Sequence, residues 1–357
     1  MAVLTEEQTM LRDMAREWSD NESPISAFRR VRDAGRAQGY DSEAWRTQAE
    51  MGWAGVLVPE AHGGSGMGYL SLGVVLEQLG RNLAASPLAA SAAATSALLL
   101  GGSEAQQAEW LPRIASGEVV ATVAMDEGPV FTGRSPGTRF ADGKLSGTKL
   151  FVAEGDSATL FVVTAADGVY LVTGDEDVVR THRAMADGRS HADVRFEGAP
   201  AEALSHGSGD LAGQVADRAA AACAAEMLGL AEAAFAITND YLKTRVQFGQ
   251  PLASFQALQH RMARMFTELE LMRSAVEGAL EAIDANRSDV DQAVSLAKAV
   301  AGDTAKLVSR EMVQLHGGIG MTDEHDAGLF LKRSAVLEAM WGNAAWHRER
   351  FARLNGY

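Results

Sequence analysis

Two short segments hold the side chains best suited to grip a ligand. The first is Arg245-Val246-Gln247-Phe248-Gly249-Gln250-Pro251, followed by Phe255-Gln256. A guanidinium presents a planar fork to two oxygens of a phosphate or carboxylate, and the Gln247 and Gln256 amides add hydrogen bonds. The same residues also suit an ordinary helix–helix connection. In that reading Arg245 is a cation at a helix C-terminus, Gly249 and Pro251 make the turn, and Ser254 caps the next helix. The second segment is Gln314-Leu315-His316-Gly317-Gly318-Ile319-Gly320-Met321-Thr322. Its glycines can expose backbone N–H groups and let a ligand approach closely. A helix precedes it and no Lys-Ser/Thr follows, so it is not a strand-to-helix phosphate loop. Taken alone, it also reads as a tight turn.

These segments lie in the last of three stretches of different character. Residues 1–117 read as helical. Thr5-Glu6-Glu7-Gln8 forms a capping box, and Ser103-Glu104-Ala105-Gln106 starts another helix that ends near Pro112. Residues 118–205 read as a small antiparallel β domain. Asp142-Gly143 and Asp167-Gly168 mark hairpins, with Phe161 to Thr164 and Val169 to Val172 as the arms of the second and Ala192 to Phe196 as a closing strand. Residues 206–357 read as a four-helix bundle. Cys223, Met227, Leu230, Ala234, Ile237 and Tyr241 step by four and three, as do Leu258, Met262, Met265, Leu269, Met272, Val276 and Ala279; segments 289–315 and 326–352 complete four long helices.

Composition narrows the function classes. The chain has 357 residues, 47% of them apolar, which is ample for a core. Its net charge of −15 argues against nucleic acid, so an anionic ligand must meet a local basic group. The one cysteine, Cys223, lies in an alanine-rich run and reads as a core residue, and no thiolate zinc site or internal disulfide can be built from it. No metal site is expected. The N-terminus carries no apolar leader pattern, and Pro87 to Leu100 is too short to cross a bilayer, so a cytoplasmic protein without a membrane span is expected.

The two ligand segments together resemble the acyl-CoA dehydrogenase family. Gly52-Trp53-Ala54-Gly55-Val56-Leu57-Val58-Pro59-Glu60 with Gly63-Gly64, and Leu111-Pro112 with Gly117, extend the resemblance over the whole chain. It implies a mainly α fold: a helical N-terminal domain, an antiparallel β middle domain and a C-terminal four-helix bundle. It also implies FAD, with Arg245, Gln247, Phe248, Phe255 and Gln256 gripping its diphosphate end and Gln314, Leu315, His316, Gly317 and Gly318 lining the other side. Because that end reaches a neighbouring subunit in such proteins, an oligomer is implied, typically a tetramer. An acyl-CoA substrate and an electron-transfer acceptor follow, with Arg218 placed to touch the CoA adenosine.

The departures from the family pattern are equally informative. The middle-domain loop reads Asp126-Glu127-Gly128-Pro129, without the Gly-Ser-Asp that usually follows. The family's Trp-x-Thr beside the flavin corresponds here to Phe151-Val152-Ala153, so Phe151 can still cover the ring but Ala153 has no hydroxyl to bond it. The reaction needs a carboxylate to remove a proton α to the thioester. The usual glutamate position falls on Trp341, before Gly342, and the second known placement falls near Ala219. Of the nearby carboxylates, Glu226 is the remaining weak candidate, though a solvated or helix-paired glutamate is the plainer reading. Glu338 reads as a surface charge, Asp217 as a solvated neighbour of Arg218, and His316 as a polar packing residue. The chain thus resembles the short subunits of α2β2 steroid side-chain acyl-CoA dehydrogenases: a base-lacking partner that completes a related catalytic chain. A self-sufficient homo-oligomer with an unusually placed base is the alternative. A third is another flavin-dependent or ligand-binding role on the same fold.

Overall fold

The first helix starts where its side chains can satisfy its free N–H groups. Thr5 Oγ1 accepts from the Gln8 backbone N–H and Gln8 returns a bond to Thr5, so the capping box forms as expected. The computed structural model describes residues 3–35, 37–175, 177–204 and 210–357. The domain boundary expected at 205/206 lies outside the described residues.

Helices come first: α1 (Glu6–Asn21), α2 (Ile25–Asp33), α3 (Ser42–Glu50), α4 (Gly68–Arg81), α5 (Leu88–Gly101) and α6 (Glu104–Ala115). The capping box of α6 also forms, but the helix runs past the expected stop, with Pro112 inside it and the Pro112 carbonyl accepting from Ser116. Strands follow: β1 (Ala121–Ala124), β2 (Arg139–Ala141), β3 (Lys144–Ala153), β4 (Leu160–Thr164), β5 (Val169–Thr173), β6 (Val178–His182) and β7 (His191–Ala203). The chain ends in α7 (Leu211–Thr244), a short β8–β9 hairpin (Val246–Gln247, Gln250–Pro251), α8 (Gln256–Asp284), α9 (Val290–His316), α10 (Ala327–Ala339) and α11 (Ala344–Leu354).

The chain divides into two compact units. One comprises Ser26–Leu72 and Ala85–Ala222 and contains the sheet. Its strand order is β1-β4-β5-β7-β3-β2, with β6 also paired to β7. The turn at Asp142-Gly143 joins β2 to β3, both residues having positive φ as a tight hairpin requires. The second hairpin pairs Thr164 with Val169. One pairing differs from the antiparallel expectation: β1 runs parallel to β4, so the sheet is mixed. No local signal announces such a pairing, because the two strands are joined through β2 and β3. Between the sheet's strands Phe161 and Phe196 pack edge to face at 5.9 Å inside an aliphatic core.

The other unit comprises Met1–Ile25, Gly73–Ala84 and Cys223–Tyr357. The methionine-rich seams are its core. Cys223, Met227, Leu230 and Ala234 are buried on α7, and Met265, Leu269, Met272, Val276 and Ala279 on α8. Although α7 is long and apolar enough to cross a membrane, most of its apolar window is buried inside the protein. Glycines let α4 and α7 cross at backbone distance: a Cβ on Gly80 would lie 2.2 Å from the Glu226 carbonyl oxygen, and one on Gly229 1.8 Å from that of Glu77. Arg273 of α8 is ion-paired with Glu232 of α7 and lies 3.5 Å from Glu77 of α4, fastening three helices. The fourth long helix, expected over 326–352, is instead two. Met340 is extended, Trp341 and Gly342 have φ of 57° and 91°, and Asn343 caps α11 through the Trp346 N–H. The Gly342-Asn343 pair is the stop signal that the apolar spacing hid.

Candidate functional site

At the end of α7 the backbone folds into a hairpin rather than an irregular loop. Val246 pairs with Pro251 and Gln247 with Gln250, across a two-residue turn in which Phe248 and Gly249 have φ of 55° and 79°. Such a turn needs positive φ at both positions, and only the second is a glycine. Phe248 is therefore held out, 89% exposed, edge to face with Phe255 at 6.1 Å. Gln256 is the exposed first residue of α8. Ser254 does not cap that helix as expected; its hydroxyl donates to the Pro251 carbonyl at 2.7 Å, and Phe255 occupies the cap position. Arg245 is exposed, and among the described residues no carboxylate pairs with it.

The glycine segment ends α9 at the same end of the bundle. Tyr241 lies one helical turn before Arg245, and its ring packs against His316 at 4.3 Å, tilted by 31°. The Tyr241 hydroxyl also donates to the His316 carbonyl at 3.4 Å. His316 donates through Nδ1 to the Met312 carbonyl at 2.7 Å, and its other face meets His325 at 4.3 Å. Burial lowers its pKa below the usual imidazole value. His316 and Leu315 are thus buried packing residues, whereas Gln314, Gly317 and Gly318 are exposed. A Cβ on Gly317 or Gly318 would meet nothing within 4 Å. Tyr241, the residue that joins the two segments, was legible only as the last member of the α7 seam.

The bundle interior alters the reading of the carboxylates. Glu226 is neither solvated nor free. It accepts two bonds from Arg333 of α10, at 2.8 and 2.9 Å, in a buried bidentate pair. Glu338 is half-buried rather than a plain surface charge, and its carboxylate accepts from the Ala344 N–H at 3.4 Å. Cys223 is buried, with its thiol on the Leu337 carbonyl and its pKa raised by burial.

In the sheet-containing unit, Phe151 sits at an irregularity between Lys149 and Val152 with φ of 52°. Its N–H donates to Asp193 at 3.2 Å, and the Arg183 guanidinium lies 4.6 Å from its ring. Ala153 offers only its carbonyl, which accepts from Thr122 at 2.6 Å. The loop that begins at Asp126 is pinned by Glu127, whose carboxylate accepts from the N–H groups of Gly137 and Thr138, the Thr138 hydroxyl and the Lys149 ammonium. Lys149 is fully buried, which brings its pKa down to about 8 against the pull of Glu127. Burial pushes Asp126 up to about 6. Arg218 and Asp217 do not form the solvated pair expected. Asp217 is 5% exposed, while Arg218 bonds the Gln214 carbonyl and lies 6.0 Å from the Tyr69 ring. Among the described residues no group of three His, Cys, Asp or Glu is placed to hold a metal.

Comparison with known proteins agrees with this architecture. Residues 5–118 match the N-terminal domain model of acyl-CoA dehydrogenases, and residues 208–354 the C-terminal domain model. The chain is 32% identical to the acyl-CoA dehydrogenase IpdE2 of Mycolicibacterium smegmatis, over 98% of both chains. Among solved structures it superposes on the Tcur3481-Tcur3483 steroid acyl-CoA dehydrogenase variant with a TM-score of 0.91 and 31% identity, over 98% of both chains. It superposes equally on the ChsE4-ChsE5 complex of Mycobacterium tuberculosis, with a TM-score of 0.91 and 28% identity over the full length of both. The chain belongs to the acyl-CoA dehydrogenase family.

Proposed function

We propose that this chain is a base-lacking subunit of an FAD-dependent acyl-CoA dehydrogenase, working beside a related chain that supplies the catalytic carboxylate. The observation that carries this reading is what occupies the expected base positions. One holds Trp341, the other falls near Ala219, and Glu226 is committed to Arg333. When bound, FAD accepts the hydride from the β carbon of the thioester.

The residues at the α7–α8 corner fit the nucleotide end of FAD. Arg245 brings a cation without a carboxylate partner among the described residues, in a chain of net charge −15. Gln247, Gln256 and Gln314 add amides, Gly317 and Gly318 open their backbone to close approach, and Phe248 and Phe255 give flat apolar faces. Leu315 and His316 support the glycine turn from beneath. In the other unit Phe151 covers the flavin ring and Arg218 meets the CoA moiety. Likeness to a steroid enzyme and to a two-chain complex supports a ring-bearing acyl-CoA and a heterotetramer. The reading places the enzyme in the cytoplasm, passing electrons to a separate acceptor.

A second reading, self-sufficiency, draws on Asp217, a carboxylate almost wholly buried beside Arg218. Asp217→Asn separates the two. In the assembled heteromer, single-turnover bleaching of the flavin by a steroid side-chain acyl-CoA is expected to keep its rate. A fall of about a hundredfold or more, the scale of a lost general base, would make this chain catalytic.

A further inference from the structure

Three rings lie in a row at the end of α9, each 4.3 Å from the next and tilted to it by 31° and 45°. They are Tyr241 of α7, His316 as the last residue of α9, and His325 in the segment between Met321 and α10. The glycine turn, Gly317–Met321, is packed down onto the middle ring. A Cβ on Gly320 would lie 3.0 Å from His316 Cβ and 2.7 Å from the Val313 carbonyl oxygen, so only glycine allows this close approach. The Tyr241 hydroxyl holds the backbone at the start of the turn, through the His316 carbonyl.

The hydrogen bonds fix which ring nitrogens carry protons. Nδ1 of His316 donates to the Met312 carbonyl, so a second proton must go to Nε2. That nitrogen is buried, on a side chain 3% exposed, and has no hydrogen-bond partner among the described residues. Nδ1 of His325 accepts from the Ala327 N–H at 3.1 Å, and an accepting nitrogen carries no proton. The titratable groups that face His316 are Tyr241 from α7 and His325 from the segment before α10; Gly317–Met321 brings none. Asp323, Glu324 and Asp326 flank His325 in sequence, but among the described residues neither imidazole is paired with a carboxylate. An imidazolium at position 316 would therefore be buried with an N–H that has no acceptor and a second imidazole against its face. Exposure to water relieves both costs.

We propose that Tyr241, His316 and His325 form a proton-sensitive clasp, which holds the glycine turn closed on the nucleotide end of FAD and opens when His316 is protonated. This rests on the reading of the turn and the α7–α8 corner as an FAD grip, and it adds the regulation of that grip. The direction follows from burial. In the closed clasp burial lowers the pKa of His316, whereas an open, hydrated ring has the ordinary value of about 6.5. The preference for the closed state is complete above about pH 6.5 and declines as pH falls from there toward the lowered pKa. One proton changes the closed-to-open ratio by at most about tenfold per pH unit.

Two measurements on the full chain assembled with its partner test the clasp. The first, amide hydrogen exchange before FAD is added, compares about pH 7.5 with about pH 5.5 after correction for intrinsic rates. Exchange across residues 317–322 is expected to rise about three- to tenfold at the lower pH, while the interior of α8 keeps its protection. The second is FAD titration at the same two pH values, in which affinity is expected to fall by a similar factor. His316→Phe keeps a flat ring and removes the proton site. Whatever its affinity at the higher pH, both responses are expected to shrink below about twofold in this variant. Exchange and affinity that are the same at both pH values, or that change equally in His316→Phe, would overturn the proposal. Should His316→Phe not fold, the wild-type exchange profile decides: opening confined to 317–322 supports the clasp, and unchanged or uniform exchange overturns it. An assembly that takes up no FAD at either pH fails the FAD reading, whereas one that binds FAD without a pH response fails the clasp alone.

Discussion

Replacing Arg245 with alanine is expected to weaken FAD binding by the assembled enzyme about ten- to a hundredfold, the range of one lost charge-assisted contact to a diphosphate. The glutamines beside it are neutral, and Phe248, the most exposed aromatic in the hairpin, contributes area rather than charge. The contact is between opposite charges, so the loss should shrink as ionic strength rises. Arg245→Lys should fall between, because an ammonium keeps the charge without the fork. The measurement is FAD titration of the apoprotein, followed by flavin fluorescence, at low and high salt. An unchanged dissociation constant in Arg245→Ala would remove the corner from the cofactor site.

Glu226→Ala is expected to lower the stability of the fold by about 3–5 kcal/mol, the usual penalty for stripping one partner from a buried ion pair. The side chains of Glu226 and Arg333 are 9% and 12% exposed, so water cannot readily take the place of the lost carboxylate. Glu226→Gln should lose less, since the amide keeps the volume and one acceptor. Urea unfolding gives the difference. Flavin bleaching in folded Glu226→Gln assemblies should match wild type. A bleaching rate that collapses while stability holds would mean that Glu226 is the base and Arg333 only its resting partner.

How far the sequence foretold this molecule depends on how local each signal is. The capping box at Thr5, the helix start at Ser103, the Asp142-Gly143 turn and the bundle seams of α7 and α8 are set by residues within a few positions of each other, and these formed as read. The parallel β1–β4 pairing joins segments nearly forty residues apart, where sequence spacing is silent. Lys149 and Lys298 went unnoticed for a different reason. Lysine is ordinarily a surface residue, and its burial is decided by acceptors that only the tertiary fold assembles, Glu127 in one case and three carbonyls in the other. The ligand corner was legible in residue type but not in shape. Arg245 and the glycines stood out, whereas the hairpin with Phe248 at its tip and the Tyr241–His316 ring contact did not. Glu226 was misjudged because Arg333 lies 107 residues away.

The central claim is that this chain completes a neighbour's flavin site and leaves proton removal to that neighbour. It is tested most directly by purifying the chain alone and together with the related second chain, then adding a steroid side-chain acyl-CoA without oxygen and recording the flavin absorbance. The account requires no bleaching by the chain alone and full bleaching by the pair. A yellow, self-assembled preparation of this chain that bleaches unaided would contradict it.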